Sequence, residues 1–132
     1  MVDITATAKT RILVVDDSSL VRLYYRHALE KAGFEVEQAI NGIEAMERVL
    51  TQSFDLLIID VNMPRMDGFT FLRSLRRGSA DTSTVPTLMI STEAETQDLA
   101  EARASGANFY LVKPVAEAEL VRHVAVLTGA GP

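Results

Sequence analysis

The sequence predicts a single α/β domain built on a doubly wound, five-stranded parallel sheet with the strand order 2-1-3-4-5. Five short apolar runs alternate with longer amphipathic stretches, as strands and helices do in such a sheet. Three of the runs are apolar throughout, whereas the second alternates apolar and acidic residues. The length of 132 residues suits one domain with a sizeable core.

The predicted strands are short and separated by turn residues. They cover residues 12–15, 34–36, 56–59, 88–90 and 109–112. The first, third and fourth are wholly apolar, which strands buried on both faces require. The second reads Phe34-Glu35-Val36-Glu37, so one of its faces is wetter and it is expected at an edge. This contrast fits the strand order 2-1-3-4-5, in which strand one lies inside the sheet beside strand three.

Apolar residues three and four positions apart mark the helices. In chain order they are Leu20, Tyr24 and Ala28; Ile43, Met46 and Leu50; Phe69, Leu72 and Leu75; Leu99 and Ala102; and Leu120, Val124 and Leu127. The fourth helix, at about residues 93–105, is rich in alanine and charge, so its apolar face is thin. Ser18 or Ser19 can cap the first helix. The predicted element ends carry the glycines Gly33, Gly42, Gly78 and Gly106.

Composition excludes several kinds of function. The absence of cysteine excludes disulfides, thiolate metal sites and thiol nucleophiles. A net charge of −5 argues against direct binding of nucleic acid. Because no apolar run could span a bilayer and the start of the chain does not resemble a secretory signal, we expect a cytoplasmic protein without membrane contact. Residues 1–10 and 128–132 are expected to be flexible tails around a domain at 11–127.

Polar residues collect where the predicted strands end. Asp16 and Asp17 follow strand one, Asp60 follows strand three, Ser91 follows strand four and Lys113 follows strand five. Ligands of open parallel sheets bind beyond the carboxyl ends of the strands, so we expect these side chains to converge. A single aspartate at a strand end is usually a cap or turn residue, but capping alone hardly explains polar groups at four strand ends.

This set of residues favours phosphoryl transfer at a metal site. Three carboxylates held together repel one another, and Lys113 and a hard divalent cation such as Mg²⁺ would supply the opposite charge. A carboxylate can then attack phosphorus and form an acyl phosphate, while Lys113 and Ser91 stabilise the phosphoryl oxygens. Asp60 is the best candidate for the nucleophile because it follows the most apolar strand, at the centre of the set.

Three stretches of the chain carry family signatures. They are Ile12-Leu13-Val14-Val15-Asp16-Asp17-Ser18, Asp60-Val61-Asn62-Met63-Pro64-Arg65-Met66-Asp67-Gly68 and Val112-Lys113-Pro114. These stretches resemble the signatures of response-regulator receiver domains, in particular CheY-like single-domain regulators of chemotaxis. The resemblance covers residues 11–127 in order and spacing, and it implies the flavodoxin-like, CheY-like sheet order given above.

The resemblance implies that Asp60 accepts a phosphoryl group from the phosphohistidine of a histidine kinase, or from small phosphodonors. Lys113 and Ser91 would contact the phosphoryl oxygens, and the peptide bond between Lys113 and Pro114 would be cis. Many relatives have threonine where this chain has Ser91, so the hydroxyl is kept but the switch geometry could be looser.

The resemblance also implies a Mg²⁺ site and two residues that set the lifetime of the aspartyl phosphate. Asp17, Asp60 and the backbone carbonyl of Asn62 would ligate Mg²⁺, with Asp16 helping through water. Asn62 and Glu93 occupy positions that tune hydrolysis of the acyl phosphate in this family. Glu93 is equally well explained as a first-turn acid at a helix N-terminus.

In such a family the chain would be a phosphoacceptor switch with its own phosphorylation and dephosphorylation chemistry, and not an enzyme acting on outside substrates. Phosphorylation would move Ser91 and turn Tyr110 of strand five inward, which changes the surface formed by the fourth helix, strand five and the last helix. Shifting the ratio of active to inactive conformations from 1:99 to 99:1 needs roughly 5.5 kcal/mol of differential stabilisation. A partner that prefers the active conformation would therefore contribute. Tyr110 is also explained as a half-buried tyrosine with its hydroxyl in water.

Several functions stay open on the sequence alone. We expect a stand-alone regulator in a two-component phosphorelay, a monomer or weak dimer that binds an output protein, for which a flagellar motor switch is one candidate. Family alternatives are a phosphorelay shuttle, a phosphate sink or the receiver of a larger regulator. A flavodoxin-like FMN binder is disfavoured because Asp16 and Asp17 would repel phosphate. A phosphatase resembling haloacid dehalogenases is also disfavoured. Such enzymes carry Asp-x-Asp after the first strand, whereas here Asp60-Val61-Asn62 follows the third.

Other polar residues have simpler explanations. Arg73, Arg76 and Arg77 end the third helix, where cations suit the helix dipole, and we expect them to be solvated. His27 and His123 lie on predicted helices away from the strand ends, so neither is expected to bind a ligand.

Overall fold

The computed structural model describes residues 9–63, 66–93 and 96–130. Its strands are β1 (Arg11–Val15), β2 (Glu35–Ala39), β3 (Leu56–Asp60), β4 (Thr87–Ser91) and β5 (Phe109–Val112). Its helices are α1 (Ser19–Lys31), α2 (Gly42–Thr51), α3 (Gly68–Arg76), α4 (Ala80–Ser83), α5 (Thr96–Ser105) and α6 (Glu117–Thr128). All strand pairs are parallel, and the order β2-β1-β3-β4-β5 confirms the predicted sheet.

The sheet is covered on both faces because its central strands are apolar on both. In β1, Ile12 and Val14 face one core, which α1 and α6 complete, whereas Leu13 and Val15 face a second core, which α2, α3 and α5 complete. Every residue of β3 and β4 is buried. β2 and β5 lie at the two edges and are partly exposed, as the alternating pattern of β2 predicts.

The apolar face predicted for α1 is wrong in part. Ala28 is buried as predicted, but Leu20 and Tyr24 are 78% and 44% exposed, and Tyr25 and Leu29 are buried in their place. In α2 the predicted Ile43 and Leu50 are likewise exposed, and Ala45 is buried. Both helices contain more apolar residues than one face can bury, so the spacing alone does not select the face that packs against the sheet.

The short helix α4 was not predicted from the sequence. The prediction that Arg76 is solvated was wrong. Burial lowers the pKa of the Arg76 guanidinium, and its N–H groups are satisfied by the protein. They donate to the backbone carbonyls of Ser83, Val85 and Gly106 and to the side chains of Thr87 and Asn108. Arg76 therefore joins α3 to the segments that precede β4 and β5. Arg73 donates to Ser105 Oγ at 3.1 Å.

The ends of the described chain are hydrogen bonded to the fold. The carbonyl of Thr10 accepts the N–H of Glu35, and α6 continues to Thr128, whose hydroxyl donates to the carbonyl of Val124. Residues 1–8 and 131–132 of the expected tails lie outside the described residues, as do Pro64 and Arg65 of the second signature. Among the described residues, no helix combines the length and the apolar character needed to cross a bilayer.

Candidate functional site

Three carboxylates meet at the carboxyl end of the sheet. Asp16 directly follows β1 and Asp60 is the last residue of β3, and both are buried, whereas Asp17 is exposed. One carboxylate oxygen from each residue lies within 4.8 Å of the other two. This spacing is small enough for the three oxygens to share one cation, so the pocket could bind a metal ion.

Lys113 brings a positive charge into the same pocket. Its Nζ lies 3.3 Å from Asp16 Oδ2 and 3.3 Å from Asp60 Oδ1. The end of β5 is held against β4, because the N–H of Lys113 donates to the carbonyl of Ser91 at 2.8 Å. The peptide bond from Lys113 to Pro114 is cis. The ammonium group therefore bridges the two buried carboxylates.

The balance of charge in the pocket is negative. Burial and the neighbouring Asp16 carboxylate raise the pKa of Asp60 to about 6, although Lys113 opposes the rise. Burial acts to lower the pKa of Lys113, but the carboxylates of Asp16 and Asp60 outweigh it and hold that pKa above its ordinary value. Three carboxylates against one ammonium leave repulsion that a bound cation would relieve.

The start of α1 fixes Asp16. The N–H of Ser18 donates to Asp16 Oδ1 at 2.8 Å, and Ser18 Oγ in turn caps the helix by accepting the N–H of Val21 at 3.3 Å. The guanidinium of Arg22 donates to the backbone carbonyl of Asp16 at 2.7 Å. Asp16 is thus both a turn residue and part of the acidic pocket, which combines the two explanations that the sequence offered for a strand-end aspartate.

Gly68 lets the chain pass close behind Asp60. A Cβ atom on Gly68 would lie 2.5 Å from the backbone oxygen of Asp60 and 2.9 Å from the Cα of Val61. The N–H of Gly68 donates to the carbonyl of Val61, and Asp67 caps α3 by accepting the N–H of Thr70. The sequence showed Gly68 as part of a signature, but only the packing of α3 against β3 shows why it is glycine.

Ser91, Glu93 and Tyr110 form a second group beside the acidic pocket. Ser91 is fully buried, and its Oγ accepts the N–H of Glu93 at 3.1 Å. The hydroxyl of the half-buried Tyr110 donates to the carbonyl of Glu93 at 2.8 Å. The backbone of Glu93 is therefore bonded on both sides, to the end of β4 and to β5. Ser91 is also adjacent to the acidic pocket through the sheet, since Asp60 pairs with the preceding residue, Ile90.

The side chains of the remaining predicted residues are not among the three that form the carboxylate cluster. Asn62 is exposed, two positions after Asp60. His123 Nδ1 lies 2.8 Å from the carbonyl of Glu119, and its ring centre is 4.7 Å from that of Phe109 on β5. The acidic cluster contains no histidine.

Comparisons with known proteins point to one family. The family model described as "response regulator receiver domain" matches residues 12–125. The transcriptional regulatory protein PrrA of Mycobacterium leprae (strain TN) is 37% identical over 123 residues, which are 93% of this chain and 52% of PrrA. The sensor protein EvgS of Escherichia coli (strain K12) is 36% identical over 124 residues, 94% of this chain and 10% of EvgS. The chain thus spans about half the length of PrrA.

Solved structures show the same fold. The chemotaxis protein CheY4 of Vibrio cholerae is 38% identical, with a TM-score of 0.87, and the match covers 91% of this chain and 99% of that one. A response regulator from Chloroflexus aurantiacus J-10-fl is 33% identical with a TM-score of 0.87, and the match covers 92% and 99% of the two chains. These are similarities of sequence and fold over nearly the whole chain.

Proposed function

The chain belongs to the response regulator receiver domain family, and from this premise we propose that it is a phosphorylation switch whose phosphoacceptor is Asp60. The proposal depends above all on the surroundings of this carboxylate. Asp60 is only 5% exposed, lies 3.3 Å from the Lys113 ammonium and shares a pocket with two further carboxylates. A nucleophile for phosphorus, a cation for the phosphoryl oxygens and oxygen ligands for a metal are thus present together.

In the proposed reaction, a carboxylate oxygen of Asp60 attacks the phosphorus of a phosphohistidine on a histidine kinase. A new P–O bond forms as the P–N bond breaks, and the departing imidazole retains the bonding electron pair and takes up a proton. Lys113 stabilises the phosphoryl oxygens during transfer because its ammonium is already held beside the carboxylate. The hydroxyl of Ser91 would contact the same oxygens after it leaves the N–H of Glu93.

We include Mg²⁺ in the proposal because the ligand set fits a hard cation. Asp17, Asp60 and the backbone carbonyl of Asn62 would hold it directly. Asp16 would act through water, since one of its oxygens accepts the N–H of Ser18 and the other faces Lys113. Bound Mg²⁺ would neutralise charge on the phosphoryl oxygens.

The output would be a change in the surface formed by α5, β5 and α6. A phosphoryl group that draws Ser91 toward it would release the N–H of Glu93, whose carbonyl is bonded to Tyr110 on β5. The hydrogen bonds therefore offer a physical link from the pocket to β5. Asn62 and Glu93 are proposed to tune the lifetime of the aspartyl phosphate, so that the chain itself sets its rate of dephosphorylation.

The most specific form of the proposal is a stand-alone, cytoplasmic regulator of chemotaxis that binds an output protein such as a flagellar motor switch. The match to CheY4, which covers 99% of that chain, supports this form. A second candidate is the receiver of a longer regulator, which the similarity to half of PrrA supports. A phosphorelay shuttle or phosphate sink would use the same pocket.

Phosphorylation by a small donor tests the proposal. The chain is incubated with acetyl phosphate and Mg²⁺, and its intact mass is measured after rapid acid quench. We expect one labile phosphoryl adduct that requires Mg²⁺. Asp81→Asn, which changes an exposed carboxylate on α4, serves as the control and should leave the adduct unchanged. A wild-type chain that gains no phosphoryl group under these conditions would contradict the proposed function.

A further inference from the structure

One hydrogen bond ties α1 to the segment that carries Lys113. The hydroxyl of Tyr24 donates to the backbone carbonyl of Val115 at 3.1 Å, across 91 positions of sequence. Val115 lies in the connection between β5 and α6, two residues after Lys113. This bond lies outside the acidic pocket but acts on the chain segment from which the ammonium group extends.

The start of the same helix is bonded to the acidic side of the pocket. Asp16 Oδ1 accepts the N–H of Ser18, and the backbone carbonyl of Asp16 accepts the guanidinium of Arg22. Arg22 also donates to Gln38 on β2 at 3.0 Å. The first turns of α1 therefore form a frame that holds Asp16 on one side and the Lys113 segment, through Tyr24, on the other.

The Tyr24 hydroxyl is well placed to hold that segment. The ring centre of Tyr24 lies 5.8 Å from the ring centre of Tyr25, and Tyr25 is buried in the core. Tyr24, Pro114 and Val115 line a groove of about 320 Å³ that Lys113 also borders. A tyrosine side chain has only two torsions, so holding its hydroxyl in one place costs little entropy.

The connection that Tyr24 contacts has few other backbone bonds. Lys113 is anchored by its N–H to the carbonyl of Ser91, and α6 begins where the N–H of Leu120 donates to the carbonyl of Ala116. Ala116, the residue that precedes α6, has no side chain that could cap it. Between these anchors the side chain of Val115 is buried, and its carbonyl is held by Tyr24.

We propose that Tyr24 is a positioning residue for phosphoryl transfer. By bonding the carbonyl of Val115 it keeps the β5–α6 connection against α1, so that the Lys113 ammonium stays between Asp16 and Asp60. Tyr24 itself touches neither the carboxylates nor the incoming phosphoryl group. This inference rests on the proposed function, because it assigns the hydroxyl a role in the same reaction. A displaced ammonium stabilises the transferring phosphoryl group less well, which slows the transfer.

A double-mutant cycle tests the inference. Tyr24→Phe removes the hydroxyl and keeps the ring, and Lys113→Met removes the ammonium. The rate of Mg²⁺-dependent phosphorylation by acetyl phosphate is measured by intact mass for the wild type, the two single variants and the double variant. We expect Tyr24→Phe to slow the reaction by about three- to tenfold in the wild-type background. In the Lys113→Met background we expect a change of less than about twofold, because residues that act through one another are not additive.

Leu23→Ala is the matched control, since Leu23 precedes Tyr24 on α1 and is exposed; its rate should equal that of the wild type. A merely structural role for Tyr24 would slow both backgrounds equally, and that result, or an unchanged rate in Tyr24→Phe, would overturn the inference. If wild type forms the adduct and only the Tyr24 effect is missing, the proposed function stands. No adduct in the wild type contradicts the proposed function instead.

Hydrogen exchange decides the matter if Lys113→Met reacts too slowly to measure. Amide exchange over residues 113–120 is followed by mass spectrometry in the wild type and Tyr24→Phe. We expect exchange in this segment to be faster in the variant by about threefold or more, with exchange in β1 and β3 unchanged. Equal exchange in the two proteins would show that Tyr24 does not hold the connection, and the inference would be wrong.

Discussion

At the scale of single residues, the cost of keeping Asp60 ionised is a consequence of the fold. The carboxylate ends a fully buried strand and faces a second buried carboxylate, so its pKa rises from 3.8 to about 6. The protonated form is therefore favoured by folding. The stability that the folded state gains from a protonated Asp60 is fully present below about pH 4 and is lost as the pH rises through about 6. Above pH 6 the metal-free pocket destabilises the protein.

Asp60→Asn should therefore stabilise the metal-free chain at neutral pH. Asparagine has nearly the same shape but no charge, and a rise of about two pKa units corresponds to roughly 3 kcal/mol. We expect the free energy of unfolding of the variant to exceed that of the wild type by about 2–3 kcal/mol at pH 7 in the presence of a chelator, and by little at pH 4. Urea unfolding at the two pH values measures the difference. A variant that is less stable than the wild type at pH 7 would contradict this account of the pocket.

The sequence predicted the acidic residues and Lys113 because each follows a recognisable strand, and parallel strands bring their carboxyl ends to one edge. The same reasoning could not predict the hydrogen bond from the Tyr24 hydroxyl to the carbonyl of Val115. Its partners are 91 positions apart, and the spacing of apolar residues placed Tyr24 on the buried face of α1. Contacts between a helix surface and a loop depend on packing that periodicity does not encode.

At the scale of elements, the junction of β3 and α3 requires the glycine at position 68. We expect Gly68→Ala to lower the free energy of unfolding by about 2–3 kcal/mol, because the new methyl group would overlap backbone atoms of Asp60 and Val61 that cannot move freely. Gly78→Ala is the control. There the nearest neighbour is the side-chain oxygen of Thr82, which can turn away by giving up its bond to the carbonyl of Ser79, so we expect a smaller cost, of about 1 kcal/mol. Equal losses in denaturant unfolding would show that the β3–α3 junction is not tightly packed.

Arg76 holds several elements together at the other end of the sheet. Removing its guanidinium takes the donor from three backbone carbonyls and from the Thr87 hydroxyl, whereas Asn108 Oδ1 keeps the N–H of Thr87. We expect Arg76→Leu to cost about 3 kcal/mol or more, since bonds from a charged donor exceed ordinary ones. Arg77→Leu, at the exposed neighbouring position, should change stability by less than about 0.5 kcal/mol. Thermal and urea unfolding compare the two variants, and similar stabilities would refute this role for Arg76.

The elements also show where sequence patterns stop being sufficient. The apolar face of α3 was predicted well, because Phe69, Leu72 and Leu75 are all buried, along with Gly68 and Phe71. In α1 and α2 the surplus of apolar residues left several possible faces. Arg76 was misjudged because an arginine at a helix C-terminus satisfies the helix dipole, and its actual acceptors come from segments far along the chain.

At the scale of the whole molecule, the apolar pattern accounts for part of the sheet order, and the resemblance to receiver domains supplies the rest. Strands β1, β3 and β4 are apolar on both faces and lie inside the sheet, and the mixed β2 lies at an edge, but β5 is also apolar and lies at the other edge. That order places the ends of β1, β3, β4 and β5 around one pocket, and it places β5 beside α5 and α6. The fold thus connects the proposed phosphoacceptor with the surface proposed to carry the output.

The position of the phosphoryl group is the most direct test of the central claim. The chain is treated with acetyl phosphate and Mg²⁺, quenched in acid, digested and mapped by tandem mass spectrometry, with Asp60→Asn treated in parallel. We predict a phosphoryl group on Asp60 in the wild type, no adduct in Asp60→Asn, and none in the wild type after chelation of the metal. A phosphoryl group on another residue of the wild type, or an adduct that persists in Asp60→Asn, would contradict the account.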